Sequence, residues 1–395
     1  MLRIAQSIAG LYMIVALVVT VITLVQGPLL GGAPLSGILD GAVGREPVTI
    51  SIAYGSEKDA WLKAAAAEFA ATNPRVQGRS IEVRLEPVGS REIVTRIVQG
   101  NLRPTVASPA SSVQTELLRS EWQARTNTNI YHSGGDAPQP LVLTPLVVVA
   151  WEERANVLGI NNPDQLWDEI HRLVVSDQGW VQVGRPEWGL GKFGQTDPST
   201  SNSGIQTLVL LAYHYHNKAS GLQVQDILNP SFQVWLDEFQ RAVLEFPSST
   251  GFLMQDVVRF GPSKYDFVTV YENLAIESIE TAANRWGPTK IYYPANNILS
   301  DHPYAILNAP WVSAEQRQAA AQFRTFLLSR EMQELALTRY GFRPANSQVS
   351  LDISGSPFER YASYGLRRDI SAIVETPAGD VSRELITFWE RKNYR

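Results

Sequence analysis

Short segments of alternating apolar and polar residues predict strands in this chain, and each is followed by a segment with helical apolar spacing. Residues 48–53 alternate in this way, and Trp61 and Phe69 then share one face of a predicted helix. Residues 105–108 and 267–271 are two further predicted strands, each followed by a helical pattern. Because strands and helices alternate without a fixed repeat, residues beyond 46 are predicted to form an α/β fold.

Small hydroxyl residues occupy the junctions between these predicted strands and helices. Residues 196–204, Thr-Asp-Pro-Ser-Thr-Ser-Asn-Ser-Gly, precede an apolar run with the i, i+3, i+4, i+7 spacing of a helix. The unpaired first-turn amides should then lie near residues 201–204, where they and the hydroxyls form a pocket for an anion or a polar ligand. Ser56, Ser111 and Ser112 occupy similar junctions. A simple helix cap is the alternative for any one of these serines.

Composition narrows the class of protein. The chain has 395 residues, of which 44% are hydrophobic and 18% charged, enough for a well-packed protein with two lobes. Its net charge of −5 and the lack of a basic run give nucleic-acid binding no electrostatic support. The sequence contains no cysteine, which excludes disulfides, thiolate metal sites and a lipidated N-terminal cysteine.

The N-terminal region predicts a membrane anchor. Residues 8–25 form an uncharged, apolar stretch of 18 residues after Arg3, about long enough to cross a bilayer. A cleaved signal peptide is the alternative, but Pro34 follows the best cleavage site and disfavours it. We expect a single-pass transmembrane helix over 1–27, a linker over 28–46, and a soluble domain on the extracytoplasmic side of the cell membrane.

Two segments are candidates for crossings between the lobes. Residues 141–150 form a long apolar run that contains Pro145, and residues 290–294 form a second extended segment. We therefore expect a discontinuous lobe 1 over 47–145 and 294–350, lobe 2 over 146–293, and a C-terminal extension over 351–395. A short helix is expected within that extension, over 382–389.

Several of these segments together resemble the bacterial extracellular solute-binding proteins over roughly residues 47–350. The resemblance is closest to the branch that includes molybdate-type binding proteins and solute-binding domains fused to von Willebrand factor A domains. The segments that carry it are Tyr54-Gly55-Ser56, Ser108-Pro109-Ala110-Ser111-Ser112, the 196–204 loop, Val270-Tyr271-Glu272, Asp301-His302-Pro303-Tyr304 and Gly341-Phe342-Arg343-Pro344.

The resemblance implies an α/β, two-lobed type II periplasmic-binding-protein fold with hinge strands, closing on a ligand in the cleft. It implies a non-enzymatic receptor that binds a small molecule or ion without a cofactor or metal. An ABC permease is the implied partner, with a von Willebrand factor A-type protein as a further one. The ligand-binding residues it predicts are Gly55, Ser56, Ser111, Ser112, Ser201, Asn202, Ser203, Gly204, Tyr271 and Glu272.

The sequence leaves open the identity of the ligand and two functions other than a solute receptor. Hydroxyls and helix amides favour an oxyanion, but Glu57 and Glu272 beside the site leave a sugar, a metal complex or a cationic solute as alternatives. An anchored scaffold with a vestigial cleft is a second function. A hydrolase that pairs one of these serines with His302 or His132 is a third.

Overall fold

The computed structural model describes residues 46–370, 372–392 and 394. The predicted anchor and nearly all of the predicted linker therefore lie outside the described residues. None of the helices within these ranges combines the length and the apolarity that a membrane crossing requires.

The described residues form twelve strands and fourteen α-helices. The strands are β1 (Val48–Tyr54), β2 (Arg75–Val76), β3 (Arg79–Pro87), β4 (Val106–Ser108), β5 (Gln139–Pro140), β6 (Val142–Trp151), β7 (Phe193–Gly194), β8 (Phe267–Tyr271), β9 (Thr289–Tyr292), β10 (Leu299–Ser300), β11 (Pro303–Ile306) and β12 (Arg343–Pro344). The helices are α1 (Asp59–Ala71), α2 (Ser90–Gln99), α3 (Ser112–Thr126), α4 (Glu152–Leu158), α5 (Leu166–Val174), α6 (Asn202–Tyr215), α7 (Val224–Ile227), α8 (Pro230–Arg241), α9 (Thr250–Phe260), α10 (Glu272–Trp286), α11 (Ala314–Leu327), α12 (Arg330–Tyr340), α13 (Pro357–Arg360) and α14 (Gly379–Lys392).

The strands form two mixed sheets, and each sheet is the centre of one lobe of an α/β fold. The first sheet has the order β2-β3-β1-β4-β11-β5, in which β1 is parallel to β3 and β4 while β11 is antiparallel to its neighbours. The second has the order β10-β6-β8-β7, with β9 and β12 also paired to β6. The two-lobed α/β architecture expected from the sequence is confirmed.

The side-chain pattern explains why both faces of the second sheet are covered. Along β6, Leu146 and Val148 belong to one apolar cluster, which includes α6, whereas Val147 and Val149 belong to another, which includes α9 and α10. A strand that is buried on both faces needs a continuous apolar run, which β6 has. In the first sheet, Val48, Ile50 and Ile52 instead pack with α1 and α11.

The chain crosses between the sheets three times, the last time between β11 and β12, and the second crossing differs from the prediction. The first lies at Leu141, between β5 and β6, and Pro145 lies inside β6 rather than ending it. The second was expected at residues 290–294, but β9 pairs with β6 and stays in the second sheet. The chain returns at Asp301 and His302, after β10 has also paired with β6. The sequence of an extended segment indicates that it forms a strand, but it does not indicate which sheet that strand joins. The predicted lobe boundaries stay a prediction.

The C-terminal segment, residues 345–370, 372–392 and 394, contacts helices of both sheets. The terminal helix predicted over 382–389 lies within α14, which packs against α3 and α6. The approach to α3 is close, because a Cβ on Gly379 would lie 2.9 Å from the Glu116 carbonyl oxygen. Leu385 and Trp389 are buried in the cluster that contains residues of α3 and α6.

Gly204 offers a test of how tightly α6 docks on the preceding loop. An ideal Cβ on Gly204 would lie 2.5 Å from the Thr196 carbonyl oxygen and 2.7 Å from the Pro198 nitrogen, both backbone atoms that cannot swing away. We expect Gly204→Ala to lower the free energy of unfolding by about 1 to 3 kcal/mol, the usual effect of overpacking. Gly251→Ala, in the first turn of α9 with open space around it, is the control. Urea titration measures both, and equal stability of the two variants would contradict the assignment of a packing role to Gly204.

Candidate functional site

A cavity of about 250 Å³ lies between segments that belong to the two sheets. The segments that follow β1 and β3 contribute Ser56, Glu57, Asp59, Gly89 and Ser90. The segments around the second sheet contribute Ser201, Asn202, Tyr271, Glu277 and the turn of Ser248, Ser249, Thr250 and Gly251. A wider cavity of about 760 Å³ adjoins it at its mouth and shares Ser56, Gly89 and Thr200 with it.

Several helix starts converge on this cavity. Gly89, Ser201, Ser249 and Tyr271 are the residues that precede α2, α6, α9 and α10, and a 3₁₀ turn begins at Ser56. The side chain of Ser249 accepts a hydrogen bond from the Phe252 amide, whereas α2 and α6 have no side-chain cap. Uncapped first-turn amides carry a partial positive charge and donate hydrogen bonds to ligand oxygens.

Asn202 links the two sheets at the deep end of the site. Its Oδ1 accepts hydrogen bonds from Ser111 Oγ at 2.7 Å and from Gln114 Nε2 at 3.2 Å, both in segments that follow β4. Its Nδ2 donates to Tyr271 OH at 3.0 Å and lies 3.4 Å from Ser300 Oγ, both in segments of the second sheet. A single buried amide group therefore closes the cleft here.

The predicted residues separate into those that line the cavity and those that surround it. Ser56, Ser201, Asn202 and Tyr271 line it. The others lie outside the lining residues and have other contacts or positions: Gly55, Ser111, Ser112, Ser203, Gly204 and Glu272.

Those contacts are specific. The Ser112 hydroxyl lies 3.0 Å from Thr376 Oγ1, and its amide donates to Asp301 Oδ1 at 2.7 Å. Ser203 Oγ lies 2.7 Å from Thr196 Oγ1 and 2.6 Å from Thr250 Oγ1, in a buried hydroxyl network that holds the cavity wall. These side chains position the lining residues.

Glu272 forms a buried ion pair away from the cavity. Its two carboxylate oxygens accept from Arg343 Nε at 2.8 Å and Arg343 Nη2 at 2.7 Å, and Tyr293 OH donates to it at 2.5 Å. Such a bidentate pair satisfies both charges, so Glu272 joins the start of α10 to β12.

The structure adds residues that the sequence analysis did not assign to the site. The turn at Ser248, Ser249 and Thr250 lines the cavity directly before α9. Its signal was present, since it repeats the combination of small hydroxyl residues and a following helix seen at residues 196–204. Asp59 and Glu277 also line the cavity, but in sequence they are indistinguishable from exposed helix residues.

A fully buried lysine lies beneath the cavity wall. Lys58 Nζ donates to Glu57 Oε1 at 2.9 Å and to the Pro109 carbonyl oxygen at 3.3 Å, and lies 3.2 Å from His302 Nδ1. Since an ammonium group only donates, Nδ1 is the acceptor and the imidazole proton lies on Nε2. Burial alone would raise the pKa of Glu57, but the charge of the Lys58 ammonium group beside it holds that pKa below its usual range.

His302 sits at the second crossing in a strained conformation. Its φ of +42° lies in the left-handed region, uncommon for residues other than glycine. Its side chain is fully buried, and burial together with the charge of Lys58 lowers its pKa to about 4. Besides Lys58, the charged groups beside it are Glu57 and Asp301. Burial raises the pKa of Asp301.

Within the described ranges, no group of three or more histidine, aspartate or glutamate side chains could hold a metal ion. His214 and His216, two positions apart in sequence, have separate partners, Asp168 and the Asp226 carbonyl oxygen.

Comparison with known families places this architecture. The family model of the bacterial extracellular solute-binding protein matches residues 50–343. The chain belongs to this family. Its matched region ends at Arg343, so the C-terminal segment follows the part that defines the solute-binding family. The molybdate-type branch within the family stays a prediction.

Solved structures agree on the fold of this solute-binding protein at low sequence identity. The periplasmic thiamin-binding protein is 15% identical with a TM-score of 0.59, over 88% of this chain and 99% of that one. Iron-bound HitA from Pseudomonas aeruginosa is 16% identical with a TM-score of 0.57, over 88% and 100%. The sulfate-binding protein SubI from Mycobacterium tuberculosis H37Rv is 16% identical with a TM-score of 0.52, over 82% and 93%. No curated protein sequence matches the chain.

The contact between Ser111 and Asn202 predicts a shift in the cleft. We expect Ser111→Ala to populate more open molecules, because the loss of one net hydrogen bond, about 1 kcal/mol, changes the closed-to-open ratio roughly fivefold. The absence of native cysteine allows spin labels at Glu68→Cys on α1 and Arg259→Cys on α9, whose separation is measured by double electron-electron resonance. Thr126→Ala is the control, because that hydroxyl donates within α3. Identical distance distributions in all three proteins would refute this role of Ser111.

His302 predicts a pH dependence of stability. Its folded pKa of about 4 lies below the ordinary histidine value of 6.5, so the unfolded chain binds the extra proton first as the pH falls. His302 should therefore cost about 2 kcal/mol of folding free energy between pH 7 and pH 5. Urea unfolding of the wild type and of His302→Asn at both pH values measures this. The variant should lose less stability over that interval, and parallel losses would exclude a neutral buried imidazole.

Proposed function

We propose that this protein is an extracytoplasmic receptor that captures a small polar solute in the 250 Å³ cavity and delivers it to an ABC-type importer or a sensor. The observation that carries the proposal is the convergence of hydroxyl groups and helix starts from segments of both sheets on one cavity. Hydrogen bonds from two lobes strengthen when closure excludes water. The structural neighbours named above are described as binding sulfate, thiamin and iron, which supports a solute-binding use of this fold without selecting one ligand.

Location and partners extend this proposal. We place the receptor on the outer side of the cell membrane, attached by the apolar segment at residues 8–25. Delivery to an ABC permease is consistent with a neighbour described as the substrate-binding protein of an ABC transporter from Agrobacterium tumefaciens. The von Willebrand factor A-type partner rests on the sequence resemblance alone.

The alternatives have weaker support in the site. Neither His302 nor His132 forms a hydrogen bond with a serine of the described residues, as an activated serine nucleophile requires. An anchored scaffold is favoured by the hydrogen bonds of Asn202 with other residues of the same chain, because these residues fill the deep end of the cleft. The ligand screen distinguishes that scaffold from a receptor.

A thermal-stability screen of the purified chain tests the receptor. We expect selective stabilisation by one class among oxyanions, sugars, amino acids, polyamines and metal complexes. A ligand at a hundred times its Kd contributes about 2.7 kcal/mol, which is a readable shift in Tm.

Ser201→Ala connects that ligand to the cavity. Loss of one net hydrogen bond, about 1 to 1.5 kcal/mol, should weaken binding roughly five- to tenfold. Ser231→Ala is the control, because Ser231 is an exposed serine at the start of a different helix, α8. A panel without any stabilising compound would favour the scaffold over the receptor.

A further inference from the structure

The charged side chains that line the cavity are all acidic. Glu57, Asp59 and Glu277 are among its lining residues, and no lysine or arginine of the described chain is. Arg91, the basic residue of the wider outer cavity, pairs with Glu121 at 2.8 Å. The cavity wall therefore offers negative charge to a solute and no positive side chain.

Glu57 is held as a fixed acceptor. Its side chain is only 10% exposed, and Oε1 accepts a hydrogen bond from Lys58 Nζ at 2.9 Å. No described residue donates a hydrogen bond to Oε2. The carboxylate folds over Gly55, where a Cβ would lie 2.6 Å from Oε2. An ionised carboxylate accepts hydrogen bonds and donates none, so this group selects a ligand that donates.

The carboxylates differ in how their charge is balanced. Glu57 is balanced by Lys58, and Asp59 by Lys63 at 2.7 Å together with a hydrogen bond from Tyr54 OH. Glu277, on α10, has no ion pair or hydrogen bond with any described residue. One negative charge of the lining is thus left without a protein partner, which favours a cationic group there.

We propose that the solute carries an ammonium group, which binds Glu57 Oε2 and lies beside Glu277. Acceptor oxygens of the same solute bind the uncapped amides at the starts of α2 and α6. This assignment rests on the proposed receptor function and specifies its ligand class. It replaces the oxyanion that the hydroxyl-rich loops favour in sequence, because a free oxyanion would face Glu57 and Glu277.

Calorimetric titration of the full chain tests this ligand class. The probes are putrescine, ethanolamine and L-lysine as ammonium compounds, glucose as a neutral one, and sulfate and molybdate as oxyanions. We expect binding of at least one ammonium probe and none of the oxyanions, with an affinity that falls as NaCl is raised.

The Glu277→Gln variant tests whether the ammonium probe binds in the cavity. It should weaken binding of the ammonium probe about tenfold or more, whereas Glu280→Gln, on the same helix but paired with Arg360, should leave it unchanged. Glu277 is exposed, so the variant folds, whereas a Glu57 variant would leave Lys58 buried and unpaired.

The outcomes separate the two proposals. Two results would overturn the proposed ligand class without contradicting the receptor function. One is binding of glucose or an oxyanion, and the other is an affinity for the ammonium probe that Glu277→Gln leaves unchanged. Failure of every probe in this titration, together with a flat stability screen, would overturn both.

Discussion

The burial of the Lys58 ammonium group is the constraint on which the site depends. Removing a charge from water costs several kcal/mol unless partners replace the lost hydration. Three elements supply those partners: Glu57 from the turn after β1, the Pro109 carbonyl oxygen after β4, and His302 at the second crossing. The same ammonium therefore holds the Glu57 carboxylate against the cavity and fixes the strained residue through which the chain leaves the second sheet.

Local pattern explains why much of the fold could be predicted from the sequence. The strand β8 has the predicted bounds, and α6 begins directly after Ser201, within the loop predicted to open a helix. Both predictions rely on neighbouring residues: an apolar run sets the strand, and small hydroxyl residues mark the helix start. The C-terminal helix was found in the same way, and the structure extends it at both ends.

The functions of individual site residues depend on partners far away in sequence, which a local pattern does not contain. Ser111 and Asn202 are 91 positions apart and bond to each other, and Glu272 meets Arg343 across 71 positions. Asp59 looks like one half of an ordinary i, i+4 pair with Lys63, yet it lines the cavity. The sequence could indicate a hydroxyl-rich site, but tertiary packing decides which of its residues face the solute.

The C-terminal segment gives the cleft a mechanical restraint. Because α14 packs on both α3 and α6, any opening that separates those helices must slide or break this packing, which raises the free energy of the open form. A costlier open form leaves a larger fraction of molecules competent to hold solute, so the apparent Kd comes close to the intrinsic one. Under the proposed receptor function, the same restraint slows the exchange of solute with the surroundings and favours retention over rapid turnover.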